Sequence, residues 1–254
     1  MSSGMWKSFA LSRRAALTAA LGASLMLGAV PAEASLTGYQ TKAAFDAATL
    51  GWSRTNTDFE AFGPGPYANG SVLGGYTLAV SGFSPDTYGD QLAVGTTFGT
   101  TSGTHYLGLN NPDEAFEPGD HLSIHFATPG QAFGLYVIGT SGMLADDITL
   151  VVDGNTIGNS AIDAFTTSDG GHVYFLGFVS NAATFSDATV NFFTEGAGLF
   201  PTSVDDMVLA VDDRQPPTPT PEPGSLALLA SGLLIAGFLR RTRAATPSKE
   251  LQHA

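Results

Sequence analysis

The chain has 254 residues, no cysteine, 31 glycines, 14 prolines and 13% charged residues, about half the charge of an ordinary soluble domain. The lack of cysteine excludes a disulfide scaffold, a thiolate metal site and a cysteine nucleophile, and the length suffices for a full core without such staples. A formal net charge of -13 argues against nucleic acid as a partner, because phosphate binding needs clustered Lys and Arg.

At the N-terminus, Lys7, Arg13 and Arg14 precede an uncharged apolar run over residues 15–30, and Ala32-Glu33-Ala34 follows. A basic flank, a short apolar core and small residues before the cut predict a secretory signal peptide over residues 1–34, cleaved between Ala34 and Ser35. Ser12-Arg13-Arg14 leaves the export route open between general secretion and the twin-arginine pathway.

Residues 35–213 contain 20 acidic residues against only Lys42 and Arg54, a formal charge of -18. One helix is predicted, with Thr41 as N-cap, helix formers from Ala43 to Ala48 and Gly51 beyond its end. Strands are predicted over residues 76–80, 91–98, 121–126, 132–138, 148–152, 173–179, 188–193 and 203–211. The alternation is clearest where Leu122, Ile124 and Phe126 interleave with His121, Ser123 and His125, so one face of that strand should be buried. On the same parity Phe133, Leu135, Tyr174, Leu176 and Phe178 should point inward. Asn69-Gly70 and Asp153-Gly154 are turn pairs. Many short strands, Gly-rich turns and a single short N-terminal helix predict an all-β fold, an antiparallel two-sheet sandwich of jelly-roll-like form. No repeat of fixed period occurs, which disfavours a propeller or β-helix.

Residues 214–223 hold five prolines and form an extended linker. Residues 224–239 are uncharged and apolar, and Arg240, Arg241 and Arg243 follow. Sixteen helical residues span about 24 Å, short of the roughly 30 Å hydrocarbon layer but able to insert when flanking groups reach the interfaces. A transmembrane helix over 224–243 is therefore predicted, its arginines cytoplasmic together with the tail 244–254, and the domain before it outside.

Pro221-Glu222-Pro223, the apolar helix and the cluster Arg240, Arg241, Arg243, in that order behind an N-terminal signal peptide, resemble the PEP-CTERM sorting signal of Gram-negative bacteria that make exopolysaccharide. The resemblance covers about the last thirty residues; the tail after the arginines is longer than that signal's usual form. It implies an exosortase-type processing enzyme as partner, the inner membrane during sorting, and delivery to the cell surface or matrix with exopolysaccharide as a further partner. The segments 40–46, 57–60, 175–180 and 204–207 look like parts of domains found upstream of such tails, which supports the jelly-roll-like fold and says little of activity.

Catalytic motifs are missing from the sequence. No G-x-S-x-G elbow occurs, no lysine follows a Gly-rich phosphate loop, and Gly63-Pro64-Gly65-Pro66-Tyr67-Ala68 has prolines where a pyrophosphate needs amide donors. His121 and His125 share a strand face but stand roughly 13 Å apart, too far to grip one metal ion, and His105 and His172 have no partner by spacing. The oxygen-rich groups say more. Asp58 and Glu60 on an early strand and Asp205 and Asp206 on the last would converge if those strands are neighbours, a set suited to a structural Ca²⁺ ion. The loop 110–114 with Glu117 and Asp120 is a second acidic group; neither follows the EF-hand order of ligands, and solvated surface acids are the favoured reading of both. The resulting expectation is a non-enzymatic, exported cell-surface or matrix protein. The alternatives are a carbohydrate-binding module presenting Tyr67, Tyr88, Tyr106 or Trp52, and a glycan-cleaving enzyme with two facing carboxylates.

Overall fold

The computed structural model describes residues 35–181, 183–192 and 201–214. The signal peptide with Ala32 and Ala34, the linker beyond Arg214, the PEP motif, the membrane helix and the tail lie outside the described residues. Among the described residues no helix is long and apolar enough to cross a membrane.

The alternation around Ile124 becomes one long strand, Asp120–Gly130, with Leu122, Ile124 and Phe126 buried and His121, Ser123 and His125 exposed. It belongs to a series of short strands: β1 (Leu36–Tyr39), β2 (Ser53–Thr57), β3 (Gly65–Tyr67), β4 (Ser71–Leu73), β5 (Tyr76–Gly82), β6 (Leu92–Gly95), β7 (Tyr106–Leu109), β8 (Asp120–Gly130), β9 (Ala132–Gly139), β10 (Ile148–Val152), β11 (Asn155–Gly158), β12 (Phe165–Thr166), β13 (His172–Ser180), β14 (Phe185–Phe192) and β15 (Ser203–Val211), with helices α1 (Lys42–Ala48) and α2 (Phe83–Tyr88). A larger sheet runs in the order β1-β13-β9-β15-β7-β6-β3, with β12 also on β13 and β2 also on β15. The smaller sheet runs β11-β10-β14-β8-β5-β4. The pairings in both are antiparallel.

The two sheets share one core, in which Leu122, Ile124, Phe126, Phe133, Leu135, Tyr174, Leu176 and Phe178 meet as their parity predicts. Two strands depart from simple alternation. β9 and β13 are buried on both faces, because α1 lies on the outer face of the larger sheet and packs Phe45 against Phe175, Ala132, Val179, Val208 and Ala210. Strands covered on both sides read as continuous apolar runs. Glycine makes the close approach possible: a Cβ at Gly177 would lie 2.9 Å from the Phe45 ring and 3.0 Å from that of Phe175.

The single-helix expectation is corrected by α2. Six residues containing a proline carry no amphipathic period, and this helix is held from elsewhere: Asp120, 0% exposed, accepts hydrogen bonds from the Ser84 amide at 2.7 Å and the Ser84 hydroxyl at 2.8 Å. In α1, Thr41 occupies the N-cap position without a side-chain cap, and the helix ends at Thr49, whose hydroxyl donates to the Phe45 carbonyl. Gly51, at φ +79°, turns the chain two residues later.

Candidate functional site

The site is built around an interruption in β15. One edge of β15 pairs with β9; the other pairs with β7 at Val204 and with β2 from Met207 to Val211. Between these partners the strand bulges: its pairing with β9 shifts register between Asp205 and Val208, and Asp206 takes φ +47°. A bulge of this kind redirects side chains, and here it aims two adjacent carboxylates at the loop joining β6 to β7.

That loop, residues 96–105, is rich in Thr, Ser and Gly and is held by acids from three parts of the chain. Asp205 Oδ2 accepts the Thr101 amide at 2.8 Å and the Ser102 amide at 3.3 Å, and lies 2.8 Å from the Thr101 hydroxyl. Asp206 accepts that same Thr101 hydroxyl at 2.6 Å and the Ser102 hydroxyl at 2.7 Å. Glu60 accepts the amides of Thr104 and His105, which hold its carboxyl below the usual range. Asp169 accepts the Gly99 amide at 2.6 Å, and with the Thr167 hydroxyl this keeps its carboxyl low too.

Asp205 behaves in the opposite way. It is 0% exposed, and burial, with the neighbouring Asp206 charge adding to it against the hydrogen bond from Thr101, pushes its pKa up to about 7. The geometry is compatible with this. The Thr101 hydroxyl lies between two carboxylate oxygens but carries a single proton. Both contacts are hydrogen bonds when one of the two carboxyls keeps a proton, and burial makes Asp205 the one that holds it.

The structure therefore brings the early and last strands together, as β2 and β15, but changes the role of the four acids. Asp58 and Glu60 are not on a strand; they flank Phe59, at φ +62°, in the turn after β2. Glu60, Asp205 and Asp206 spend their oxygens on loop amides and hydroxyls, and among the described residues no group of three or more His, Asp or Glu side chains is placed to hold a metal ion. The residues present do not fit the expected calcium site. The second acidic group is structural: Asp120 holds α2 and the Glu117 amide, while Glu114 accepts the Tyr106 hydroxyl at 2.7 Å. The histidines pair singly, His121 with Asn191, His125 with Asp187, His172 with Asp163 and His105 with Glu60.

Beside this loop, on the outer face of the larger sheet, lies a cavity of about 460 Å³. Val208 and Tyr136 line it from adjacent strands, Phe165 of β12 and Lys42 of α1 contribute from outside them, and Asn56, Asp58, Asp206, Thr101 and Ser102 complete the lining. The rings of Tyr136 and Phe165 meet edge-on, centroids 5.8 Å apart at 77°. Phe165 is 41% exposed, and Tyr136 is half-buried. A ring face beside carboxylates, an amide, an ammonium and hydroxyls is a surface that can stack on an apolar face and hydrogen-bond its rim.

None of the four aromatics proposed from sequence lines this groove. Tyr106 is 0% exposed, the Tyr67 hydroxyl donates to the Gly63 carbonyl, Tyr88 packs edge-on against Phe83, and Trp52 lines a separate cavity of about 360 Å³ with Tyr39, Gln131, Asp212 and Arg214. Tyr136 could have been found by parity, since inward Phe133 and Leu135 leave it facing outward. A smaller cavity of about 280 Å³ lies beside Phe98 and Ile138; its one carboxylate, Asp169, is already bonded to Gly99 and Thr167.

No protein-family model matches the chain, and no curated protein matches it significantly. Among solved structures it is similar to the CBM22-1 xylan-binding domain of Paenibacillus barcinonensis Xyn10C, with TM-score 0.30 and 13% identity over 62% of this chain and 93% of that one. It is also similar to a carbohydrate-binding module of family 29, with TM-score 0.28 and 12% identity over 67% of this chain and 99% of that one. Likeness at these scores does not establish a shared site.

Proposed function

We propose that the protein is an exported, non-enzymatic surface protein whose β-sandwich binds a polysaccharide in the groove at Tyr136 and Phe165. The observation that carries the binding reading is the groove itself: an aromatic corner open on the outer face of a sheet, beside a rim of Asp, Asn, Lys, Thr and Ser groups. A sugar ring has an apolar face of C–H groups and an edge of hydroxyls, and this lining answers both. The non-enzymatic reading rests on Asp205. Asp90 and Glu117 are also raised, but Asp205 is the one pushed to about 7, where a general acid would be suited, and it is sealed from solvent and turned to Thr101. Export and sorting by an exosortase-type enzyme rest on the two ends of the sequence.

A glycan array probed with the mature chain, followed by affinity electrophoresis in the polysaccharides that score, tests the binding reading. Phe165→Ala should weaken retention about two- to tenfold, the loss of a stacking ring being worth about 0.5 to 1.5 kcal/mol. Wild-type protein that is retained by no glycan, or a Phe165→Ala variant retained as strongly as wild type, would refute it. N-terminal sequencing of the exported protein tests the other half, with Ser35 expected as the first residue.

A further inference from the structure

We propose that the groove selects a glycan bearing free amino groups over its N-acetylated or uronic acid counterparts. This rests on the polysaccharide reading above and narrows its ligand class.

Two carboxylates line the groove from different elements, Asp58 from the turn after β2 and Asp206 from the bulge of β15. The one cation in the lining, Lys42, is engaged: its ammonium donates to both oxygens of Asp46 at 2.7 Å, and Asp46 also accepts Arg54 at 2.6 Å. The field felt inside the groove is accordingly negative. The Tyr136 hydroxyl has its pKa raised first by burial and then by Asp206 and Asp46. An ammonium placed against the corner of Tyr136 and Phe165 would meet aromatic π-density, which attracts cations, and at the rim the Asp58 carboxylate, with the charge of Asp206 behind its bonds to Thr101 and Ser102. A uronate would meet those same carboxylates within a domain of formal charge -18. An N-acetylated sugar would stack but forfeit the ionic contacts. Charge complementarity and the aromatic corner thus choose the same ligand chemistry.

The test uses the full chain in detergent, titrated calorimetrically with three probes: a glucosamine oligosaccharide, the same oligosaccharide after complete N-acetylation, and an oligouronate of equal length. The amine form should bind about tenfold tighter than the acetylated form, the factor that one cation–π or ionic contact of this kind supplies. That margin should shrink as NaCl is raised, because the contacts are exposed. Asp58→Asn should reduce it; among the described residues Asp58 accepts the Glu60 amide at 3.2 Å, and Asn keeps an acceptor there. Phe165→Ala should weaken both forms. Equal or tighter binding of the acetylated form, or preference for the oligouronate, overturns the amine selectivity while leaving the polysaccharide reading intact, provided Phe165→Ala still weakens binding. Amine binding insensitive to both Asp58→Asn and Phe165→Ala means general attraction of a polycation to an acidic surface and overturns the proposal. No binding by any of the three, together with no retained glycan on the array, removes the reading beneath it.

Discussion

Replacing Asp205 with Asn should reshape the pH dependence of stability. In the folded protein the Asp205 carboxyl titrates at about 7, whereas an unfolded aspartate titrates near 3.9. Between those values the folded state holds a proton that the unfolded state has released, so stability falls as pH rises through the window and levels off above it. From pH 5 to pH 7, where the folded carboxyl is half ionised, the loss is about 2 kcal/mol at 1.36 kcal/mol per unit. In a domain of this size that corresponds to roughly 4 to 8 °C in Tm. Asp90 and Glu117, also raised by burial and by neighbouring acids, add a shallower slope of the same sign. Asn cannot ionise, but wherever its amide group is turned it faces a backbone N–H, from Thr101 or Asp206, costing about 1 kcal/mol. The variant should therefore melt above wild type at pH 8 and lose that advantage as pH falls, the two curves crossing between about pH 4 and 5. Thermal unfolding followed by circular dichroism across that range is the assay. A variant whose Tm falls with pH as steeply as the wild type would show that Asp205 does not carry the proton, and the account of the Thr101 hydroxyl would be wrong.

Ile124→Asp, at 1% exposure in the shared core, should cost about 3 kcal/mol or more as an unpaired buried charge, while His121→Asp on the solvent face of the same strand should change stability by only about 0.5 kcal/mol; urea titration of both variants separates them. Gly177→Ala should destabilise by about 1 to 3 kcal/mol through overpacking against Phe45 and Phe175, and Phe45→Leu in the same chain should recover part of the loss. Below about pH 4 stability should fall again, because Asp169, held low by Thr167 and Gly99, loses those acceptor contacts as it protonates; an acid-side midpoint shifted upward by Asp169→Asn would be the readout. Millimolar calcium should raise Tm no more than NaCl of matched ionic strength, since Glu60, Asp205 and Asp206 are spent on loop donors.

Much of the sandwich was legible because period-two alternation is a local property. Leu122, Ile124 and Phe126 announce their facing within a single strand, and the same parity places Phe133, Leu135, Leu176 and Phe178. Of the strands that escaped, β3, β4 and β12 have two or three residues and β1, β7 and β11 have four, too few for a period to stand out. α2 escaped because its cap, Asp120, lies 36 residues away in sequence. The neighbourhood of the early and last strands was legible, but the role of the four acids there was not. It depends on a loop from between β6 and β7 filling the gap that the bulge leaves, a non-local fact with no sequence period. Phe165 of the groove gave no signal either, standing on a two-residue strand, whereas Tyr136 was concealed only by being read as one more residue of an apolar run.

The position of β15 has a mechanical consequence. The described residues end at Arg214, just beyond β15, and the groove meets that strand at its middle, through Asp206 and Val208; Asp206 stands five residues from Val211, about 17 Å of extended chain. If the protein is tethered from its C-terminal side and holds a polymer in the groove, tension runs lengthwise along β15. The strand is laddered to β2 on one edge and β9 on the other, so this load would shear many hydrogen bonds at once instead of peeling them apart singly. An anchor sited there would let the domain stay folded under drag until the polymer itself slips free.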